Sequence, residues 1–330
     1  MFFKKKKERN ITKEDRIKGS LYGFIVGDAL GVPVEFSDRG ALTSKPIKTM
    51  EEYGTHNQPK GTWSDDSSMV LATIDSMYNN KEKLLSDDII DYSDLMSRFS
   101  NWKNKGDYTP NNIVFDIGIS TSLAISKFEN SGNPFCGDTN INSNGNGSLM
   151  RILPISIFTH YCVHSTYEYT IKNDFYNIIK NVSSLTHAHD LSIMSCLIFT
   201  YFIDKYLETF DIRKTYDRTR THFRNIFDGK IKKDYGDLEL YKKYFDRLIY
   251  KDISVLNIDD IKSSGFVVDS LEASIWCILT TNSFKESVLK AVNLGEDTDT
   301  IGALTGALAG LIYGIENIPK EWIDCLQRKG

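Results

Sequence analysis

An apolar run near the end of the chain has a glycine at every fourth position. The run covers residues 301–315, and its glycines are Gly302, Gly306, Gly310 and Gly314. Residues four apart lie on one face of a helix, so this spacing leaves a stripe without side chains. Each glycine costs about 1 kcal/mol relative to alanine in a helix, and close packing against a neighbouring backbone must offset that cost. At 15 residues the run is too short to span a bilayer, which takes about 20. The pattern therefore predicts a buried core helix.

Oxygen-bearing side chains immediately precede this helix, in the sequence Asp-Thr-Asp-Thr at residues 297–300. Helix capping alone would account for them, because Asp and Thr side chains accept hydrogen bonds from the free N–H groups of a first turn. A calcium-binding EF-hand loop is excluded, since its fifth and twelfth positions would be Ile301 and Leu308, which offer no side-chain oxygen. From this stretch alone, capping and ligand binding both stay open.

A second oxygen-rich group, Ser64, Asp65 and Asp66, opens another predicted helix that continues to Tyr78. If the two helices pack side by side, four carboxylates share one pocket. Like charges that close cannot all stay ionised unless some are protonated or cations neutralise them. Oxygen ligands without Cys or His favour Mg²⁺ or Mn²⁺ over zinc. Two such ions about 3.5–4 Å apart form the usual two-metal site.

The composition is that of an ordinary globular protein, with 41% hydrophobic and 25% charged residues among 330. A net charge of −4 gives no reason to expect nucleic-acid binding. Because no segment alternates as a strand does and no repeat is present, the sequence predicts an all-α, single-domain bundle. Five scattered cysteines without a C-x-x-C pair suit a reducing compartment. We therefore expect a cytoplasmic protein that does not bind a membrane.

The two most charged parts of the chain are its start and its third quarter. Residues 1–13 are rich in lysine and lack the apolar segment of a secretion signal, so they are expected to form a solvated basic arm. The remaining residues, 14–330, form the expected domain. Within it, residues 211–260 are expected to be a charged, peripheral helical insertion that still carries an amphipathic helix.

Helical periodicity predicts a first helix from Asp15, which places Asp28 on an otherwise apolar face. Asp28 should therefore have a buried partner. Glu35 follows Pro33 just beyond this helix, and the local pattern favours an exposed loop position over a site for it. Further helices are expected at about 86–103, 112–129 and 191–206, and residues 264–273 are expected to open another buried helix.

Two other polar stretches, the loop at residues 144–151 and the histidines at 187 and 189, are candidate binding sites. Residues 144–151 form a glycine-rich loop without the spacing of a Walker or dinucleotide-binding motif. Its backbone N–H groups either form a nest for an anion or belong to a plain turn. Further along, His187 and His189 form an H-x-H pair, but no cysteine or third histidine follows at ligand spacing. Zinc is therefore not expected.

Five motifs in this order resemble the ADP-ribosylglycohydrolase family, the relatives of dinitrogenase reductase-activating glycohydrolase. The motifs are Gly27-Asp28-Ala29-Leu30-Gly31-x-Pro33-x-Glu35, Gly61-x-Trp63-Ser64-Asp65-Asp66, Asn146-Gly147-Ser148-x-Met150-Arg151, Thr186-His187-x-His189 and Gly295-x-Asp297-x-Asp299-Thr300. The resemblance covers roughly residues 15–325. It implies an all-α, orthogonal helical bundle with a centre of two Mg²⁺ or Mn²⁺ ions, in agreement with the expectation from the residues.

The resemblance also implies a role for each matching residue. Glu35 matches a catalytic acid or base of the family. Asp65 and Asp299 are also expected to take part in catalysis. His187 matches a histidine on the ligand side. The loop that cradles ribose and diphosphate is matched by Asn146, Gly147, Ser148 and Met150. The implied metal ligands are Ser64, Asp65, Asp66, Asp297, Asp299 and Thr300.

The sequence departs from the family pattern at three positions. The family usually has threonine where Ser64 and Ser67 stand, and often glycine where Glu296 stands. Serine keeps the hydroxyl oxygen, so metal binding is expected to survive both changes. The sequence alone does not explain why a charged residue, Glu296, lies beside the site.

The function implied is hydrolysis of the glycosidic bond between ADP-ribose and an acceptor side chain, with arginine the expected acceptor. The expected partners are an ADP-ribosylated protein as substrate, ADP-ribose as product and an ADP-ribosyltransferase. Two alternatives remain. One is a non-catalytic relative, either structural like a lens crystallin or an immunity protein that binds a toxin. The other is a metal-dependent phosphohydrolase that would release AMP from ADP-ribose.

Overall fold

The computed structural model describes residues 11–82, 90–163, 174–232 and 234–327. Most of the expected basic arm, residues 1–10, lies outside these ranges. The expected all-α class is confirmed: within the described ranges the chain forms fourteen α-helices and no β-strand, only isolated bridges.

The helices are joined by connections of very different lengths. The α-helices are α1 Lys13–Gly31, α2 Arg39–Ser44, α3 Asp65–Asn79, α4 Tyr92–Lys105, α5 Ile119–Ser131, α6 Leu153–Phe158, α7 Asp174–Ser184, α8 Asp190–Thr209, α9 Ile212–Phe227, α10 Leu238–Phe245, α11 Val267–Leu279, α12 Phe284–Val292, α13 Thr298–Tyr313 and α14 Lys320–Cys325. Short 3₁₀ turns lie at Val32–Val34, Asn146–Ser148, Ile253–Val255, Ile258–Asp260 and Ile315–Asn317, and π turns at Thr159–Val163 and Asp246–Tyr250.

Helices α1 and α13 form the centre of the fold and run antiparallel along two glycine faces. A Cβ atom on Gly23 would lie 2.2 Å from the carbonyl oxygen of Gly306, and one on Gly27 would lie 2.0 Å from that of Gly302. The expected backbone contact of the α13 stripe is thus confirmed. Its partner is a second stripe with the same spacing, formed by Gly19, Gly23, Gly27 and Gly31.

The last glycine of the expected stripe has a different role. Helix α13 ends at Tyr313, and Gly314 adopts a left-handed φ of 77° while its N–H bonds the carbonyl of Gly310 at 2.8 Å. Glycine adopts this conformation without the steric cost that a Cβ would bring. The helical run predicted to continue to residue 315 therefore stops two residues earlier.

Close packing of α1 on α13 brings three helix ends together. At the end of α1, the carbonyl oxygen of Gly31 accepts a 2.8 Å hydrogen bond from the Thr298 hydroxyl at the start of α13. Asp28 holds the start of α3, because its carboxylate accepts the N–H groups of Ser64 at 2.9 Å and Ser67 at 3.0 Å. The Ser67 hydroxyl also donates to it at 2.5 Å. The buried partner expected for Asp28 is therefore the first turn of α3.

Two predicted helix boundaries were wrong, because periodicity does not show which residue takes the N-cap position. The helix expected at 86–103 begins at Tyr92, after Asp91 accepts the N–H of Asp94 at 3.0 Å. Residues 83–89 lie outside the described ranges. The helix expected at 112–129 begins at Ile119, and residues 113–118 form an irregular segment instead.

The charged segment 211–260 contains α9 and α10. Their aromatic side chains, including Tyr216, Phe227, Tyr241 and Phe245, are buried in the common hydrophobic core. Whether the segment is an insertion stays a prediction. No helix in the described part of the chain is long and apolar enough to cross a membrane.

Candidate active site and metal centre

The two oxygen-rich helix starts lie side by side, which is the condition under which the sequence predicts one shared pocket. Asp65 and Asp66 occupy the first turn of α3, and Asp299 and Thr300 occupy that of α13. All four residues are buried, and the Thr300 hydroxyl lies 3.4 Å from an oxygen of Asp66. The packing of α1 between the two helices, described above, fixes this arrangement.

Helix capping explains only part of the group. The Ser64 hydroxyl accepts the N–H of Asp66 at 3.3 Å, so Ser64 is a true N-cap. Asp297 is the N-cap residue of α13, yet its side chain makes no capping bond to the described backbone. One of its oxygens instead accepts the amide of Asn146 at 2.6 Å. The Asp297 carboxylate is thus directed at the glycine-rich loop.

Glu35 belongs to this centre, which corrects the exposed loop position that the local sequence favoured. The 3₁₀ turn Val32–Val34 carries the chain from the end of α1 back over the centre, and Glu35 is only 6% exposed. Oxygens of Glu35, Asp297 and Asp299 all lie within 4.8 Å of one another. That spacing is suitable for ligands of one cation.

Burial raises the pKa of every carboxyl group in this centre. The pKa of Glu35 rises to about 7 and that of Asp28 to about 6, in both cases mainly because burial disfavours the charged form. Hydrogen bonds to His56 and to Ser67, respectively, oppose the rise. The pKa values of Asp65, Asp66 and Asp299 are raised well above the usual range by burial and then by neighbouring carboxylates.

The donor set fits divalent cations. Asp66 is 1% exposed, and its Oδ2 atom has no hydrogen-bond partner among the described residues. A buried anionic oxygen without a partner is costly, and a cation would satisfy it. The neighbouring groups are carboxylate and hydroxyl oxygens, which are suited to Mg²⁺ or Mn²⁺.

Sequence reasoning missed two polar residues beside Glu35. The Nε2 atom of His56 is hydrogen-bonded to Oε2 of Glu35. Asp116, in the irregular segment before α5, lies near Asp65, and burial raises its pKa. Both residues lie in loops without periodicity, so no signal in a single sequence assigns them to the site.

The position of Glu296 explains why the extra charge is tolerated. Its side chain is exposed, and its φ of 60° is the left-handed conformation that favours glycine. Its carbonyl accepts the N–H of Phe36 at 2.7 Å, and its N–H donates to Ser37 at 2.8 Å. The backbone of Glu296 therefore holds the loop that carries Glu35.

The glycine-rich loop borders the centre on the side of Asp297. The Asn146 amide bonds both Asp297 and, at 2.9 Å, the hydroxyl of Ser270. A Cβ atom on Gly147 would lie 2.7 Å from Cε1 of His187. The side chains of Ser148 and Met150 are buried instead, and Ser148 bonds Ser183 at 3.0 Å. Their contacts with a ligand would therefore come from the backbone.

His187 and His189 have separate roles. His187 is 2% exposed, its Nδ1 atom lies 2.9 Å from the Thr186 hydroxyl, and burial lowers its pKa to about 3. It is therefore neutral at ordinary pH. The Nδ1 atom of His189 accepts the N–H of Leu191 at 3.2 Å and so caps α8. The expectation that the pair does not bind zinc stays a prediction.

Comparison with known proteins confirms the resemblance seen in the motifs. The family model described as ADP-ribosylglycohydrolase matches residues 9–330. The chain is 28% identical over 312 residues to the ADP-ribosylarginine hydrolase Tri1 of Serratia proteamaculans, covering 94% of this chain and 75% of that protein. It is 26% identical over 330 residues to the ADP-ribosyl-(dinitrogen reductase) glycohydrolase of Rhodospirillum rubrum, covering 96% and 91%.

A solved structure described as an ADP-ribosylglycohydrolase-related protein complex has the same fold. It superposes with a TM-score of 0.69 at 24% identity, over 95% of this chain and 92% of that one. Because the family model spans nearly the whole chain, the protein belongs to the ADP-ribosylglycohydrolase family and is a hydrolase of ADP-ribosyl glycosidic bonds.

Proposed function

We propose that the protein is a divalent-metal-dependent ADP-ribosylarginine hydrolase, which reverses the ADP-ribosylation of a protein. The observation that carries this proposal is the buried cluster of Glu35, Asp297 and Asp299 beside the unpartnered oxygen of Asp66. Arginine is favoured as the acceptor because relatives from Serratia proteamaculans and Pseudomonas putida, 28% and 29% identical, are ADP-ribosylarginine hydrolases.

Two Mg²⁺ or Mn²⁺ ions would be held by oxygens from both helix starts and the neighbouring loop. When bound, the ions supply Lewis-acid stabilisation of charge near the ribose. The proposed ligands are Ser64, Asp65, Asp66, Asp297, Asp299 and Thr300, with Glu35 close enough to join them.

Glu35 is the proposed acid or base. In the metal-free protein burial raises its pKa to about 7, and a carboxyl group that can change its protonation state is suited to general acid or base catalysis. Hydrolysis breaks the bond between C1″ and the acceptor nitrogen, and the oxygen of water joins C1″. Glu35 would accept the proton of that water and return a proton to the leaving nitrogen. His56 orients Glu35 through its hydrogen bond, and Asp65 and Asp299 complete the charged surroundings.

The loop around Asn146 and Gly147 is proposed to hold the ADP-ribose portion. Asn146 is fixed by two hydrogen bonds, to Asp297 and Ser270, so its position relative to the centre is well defined. Gly147 packs closely against neutral His187, which can donate or accept a hydrogen bond without adding charge.

The substrate would be an ADP-ribosylated protein, the product ADP-ribose, and the opposing enzyme an ADP-ribosyltransferase. We place this activity in the cytoplasm, in keeping with the free thiols of Cys136, Cys196, Cys277 and Cys325. All the oxygens proposed as ligands are present, which argues against a purely structural or non-catalytic immunity protein.

The acceptor and the reaction can be tested together. The protein is incubated with arginine-, serine- and aspartate-linked ADP-ribosyl substrates in Mg²⁺ or Mn²⁺, and the products are separated by chromatography. We expect ADP-ribose from the arginine-linked substrate, and a large loss in Asp66→Asn but not in the exposed control Asp217→Asn. Release of AMP would favour the phosphohydrolase alternative. Faster hydrolysis of the serine-linked substrate would mean that serine, and not arginine, is the acceptor.

A further inference from the structure

Three aromatic rings, those of Phe36, His56 and Phe115, form an arc beside Glu35. The ring of His56 lies between the other two, with its centroid 5.9 Å from that of Phe36 and 5.2 Å from that of Phe115. The rings are tilted by 59° and 50°. Asn146 is joined to the centre by its hydrogen bond to Asp297, whereas the arc is joined to it by the hydrogen bond between His56 and Glu35.

Phe36 is exposed to solvent, and its backbone conformation is strained. It is 68% exposed, and its φ of 64° is the left-handed conformation that a residue with a bulky side chain rarely adopts. The paired backbone hydrogen bonds with Glu296 hold it there. A strained, solvent-exposed aromatic residue adds nothing to the hydrophobic core, and strain of this kind tends to cluster at functional sites.

His56 fixes the middle of the arc. It lies in a tight loop closed by hydrogen bonds between Tyr53 and Gln58. The loop is joined to the Glu35 segment twice, because Thr55 donates its N–H to Pro33 at 3.0 Å and its hydroxyl to the Glu35 carbonyl at 2.7 Å. The His56 side chain is only 12% exposed. The arc is therefore preorganised.

Two carboxyl groups border the arc. Asp116 immediately follows Phe115 in the chain, and the Glu35 carboxyl group is hydrogen-bonded to His56. Aromatic faces next to carboxylates attract cations, and a flat guanidinium group can stack on a ring while donating to a carboxylate. A compact ammonium group or a neutral hydroxyl gains less from such a surface.

We propose that Phe36 and Phe115, ordered by His56, form a recognition site for the guanidinium group of the acceptor arginine. This inference rests on the proposed function and explains how the same centre would prefer arginine to serine. The ADP-ribose portion lies toward Asn146 and the acceptor toward Phe36, so that the bond to be cleaved lies over the carboxylates between them.

The test compares Phe36→Ala with Phe36→Tyr, which keeps an aromatic face. Phe210→Ala is a matched control, since Phe210 is also exposed, at 57%, and also left-handed, with a φ of 49°, but lies at the end of α8. KM and kcat are measured for arginine-linked and serine-linked ADP-ribose, and the Kd of free ADP-ribose is measured by calorimetry.

We expect Phe36→Ala to raise KM for the arginine-linked substrate roughly 3- to 30-fold, the usual worth of a cation–π contact. The Kd of ADP-ribose and the kinetics of the serine-linked substrate should change less than about twofold, and Phe36→Tyr and Phe210→Ala should behave like the native protein. An equal loss on both substrates, or no loss at all, would overturn the inference.

Two further outcomes separate this inference from the proposed function. A weaker Kd for ADP-ribose in Phe36→Ala would mean that the ring stacks on adenine, and the inference would be wrong while the hydrolase activity stood. If the native protein does not hydrolyse the arginine-linked substrate, the acceptor proposed above is wrong, and the guanidinium site is wrong with it.

Discussion

Gly27 and Gly302 meet backbone to backbone, so that a Cβ atom on Gly27 would lie 2.0 Å from the carbonyl oxygen of Gly302. This contact determines the geometry of the active centre. Asp28, one residue after Gly27, holds the start of α3, and Asp299 and Thr300 lie just before Gly302. Close packing of two glycine faces therefore positions the carboxylates from two helices more than 200 residues apart in the chain.

A methyl group in the middle of this contact should destabilise the protein. In Gly23→Ala the new Cβ would lie 2.2 Å from the Gly306 carbonyl oxygen, so the helices must separate. We expect a loss of about 1–3 kcal/mol or more in the free energy of unfolding, despite the better helix propensity of alanine. Gly118→Ala is the control, because its Cβ would meet only the Thr121 hydroxyl, at 3.7 Å. Equal stability of both variants in chemical denaturation would contradict the packing argument.

Stability of the metal-free protein should fall as pH rises. Burial raises the pKa of Glu35 from 4.5 to about 7 and that of Asp28 from 3.8 to about 6. Above about pH 4 the unfolded chain releases these protons while the folded protein retains them, so the free energy of unfolding declines until about pH 7. Bound Mg²⁺ favours the ionised carboxylates and should reverse the effect.

The corresponding measurement is the melting temperature with EDTA and with Mg²⁺ from pH 5 to pH 8. We expect the increase caused by Mg²⁺ to widen with pH, because a ligand that binds only the folded state stabilises it by mass action. An increase of the same size at every pH would mean that the raised pKa values do not belong to the ion-binding groups.

The glycine-rich loop should tolerate a side chain at one glycine but not at another. A Cβ on Gly147 would lie 2.7 Å from His187 and 2.8 Å from Thr121, whereas one on Gly145 would lie 3.7 Å from His187. Gly147→Ala is therefore expected to weaken ADP-ribose binding by about tenfold or more, a loss on the order of 1.4 kcal/mol. Gly145→Ala should cause a much smaller loss. Similar affinities in calorimetry would place ADP-ribose elsewhere.

Glu35→Gln removes the ionisable group while keeping an oxygen near Asp297 and Asp299. We expect single-turnover hydrolysis to slow by about 10²–10⁴, the usual contribution of a general acid or base. Calorimetric binding of ADP-ribose should persist. If turnover stays near normal, proton transfer does not depend on Glu35. If ADP-ribose binding is lost, Glu35 positions the ligand or an ion instead.

The elements that could be predicted from the sequence are those with a regular pattern. The α13 stripe and the two oxygen-rich helix starts follow from spacing and from side-chain type. The matching stripe on α1 has the same four-residue spacing as that on α13, so a search for glycine periodicity in both helices would have found it. The buried partner of Asp28 was predictable in kind, because a carboxylate on an apolar face requires one.

The parts that could not be predicted depend on how loops close. Glu35 looks exposed in the sequence, yet the turn after Pro33 folds it over the centre. His56 and Asp116 come from loops whose positions are set by tertiary contacts rather than by periodicity. Ser148 matches a ligand-binding motif, but its side chain points into the core. A motif identifies a segment and not which of its atoms face the ligand.

The central claim, that the oxygen cluster is a metal-dependent catalytic centre, is tested most directly by adding metal back to the stripped protein. The protein is treated with EDTA, dialysed, and given ADP-ribosylarginine while Mg²⁺ or Mn²⁺ is titrated in and release of ADP-ribose is followed. The account predicts negligible release without metal and full activity when about two ions are bound per chain. Undiminished release of ADP-ribose in EDTA would contradict it.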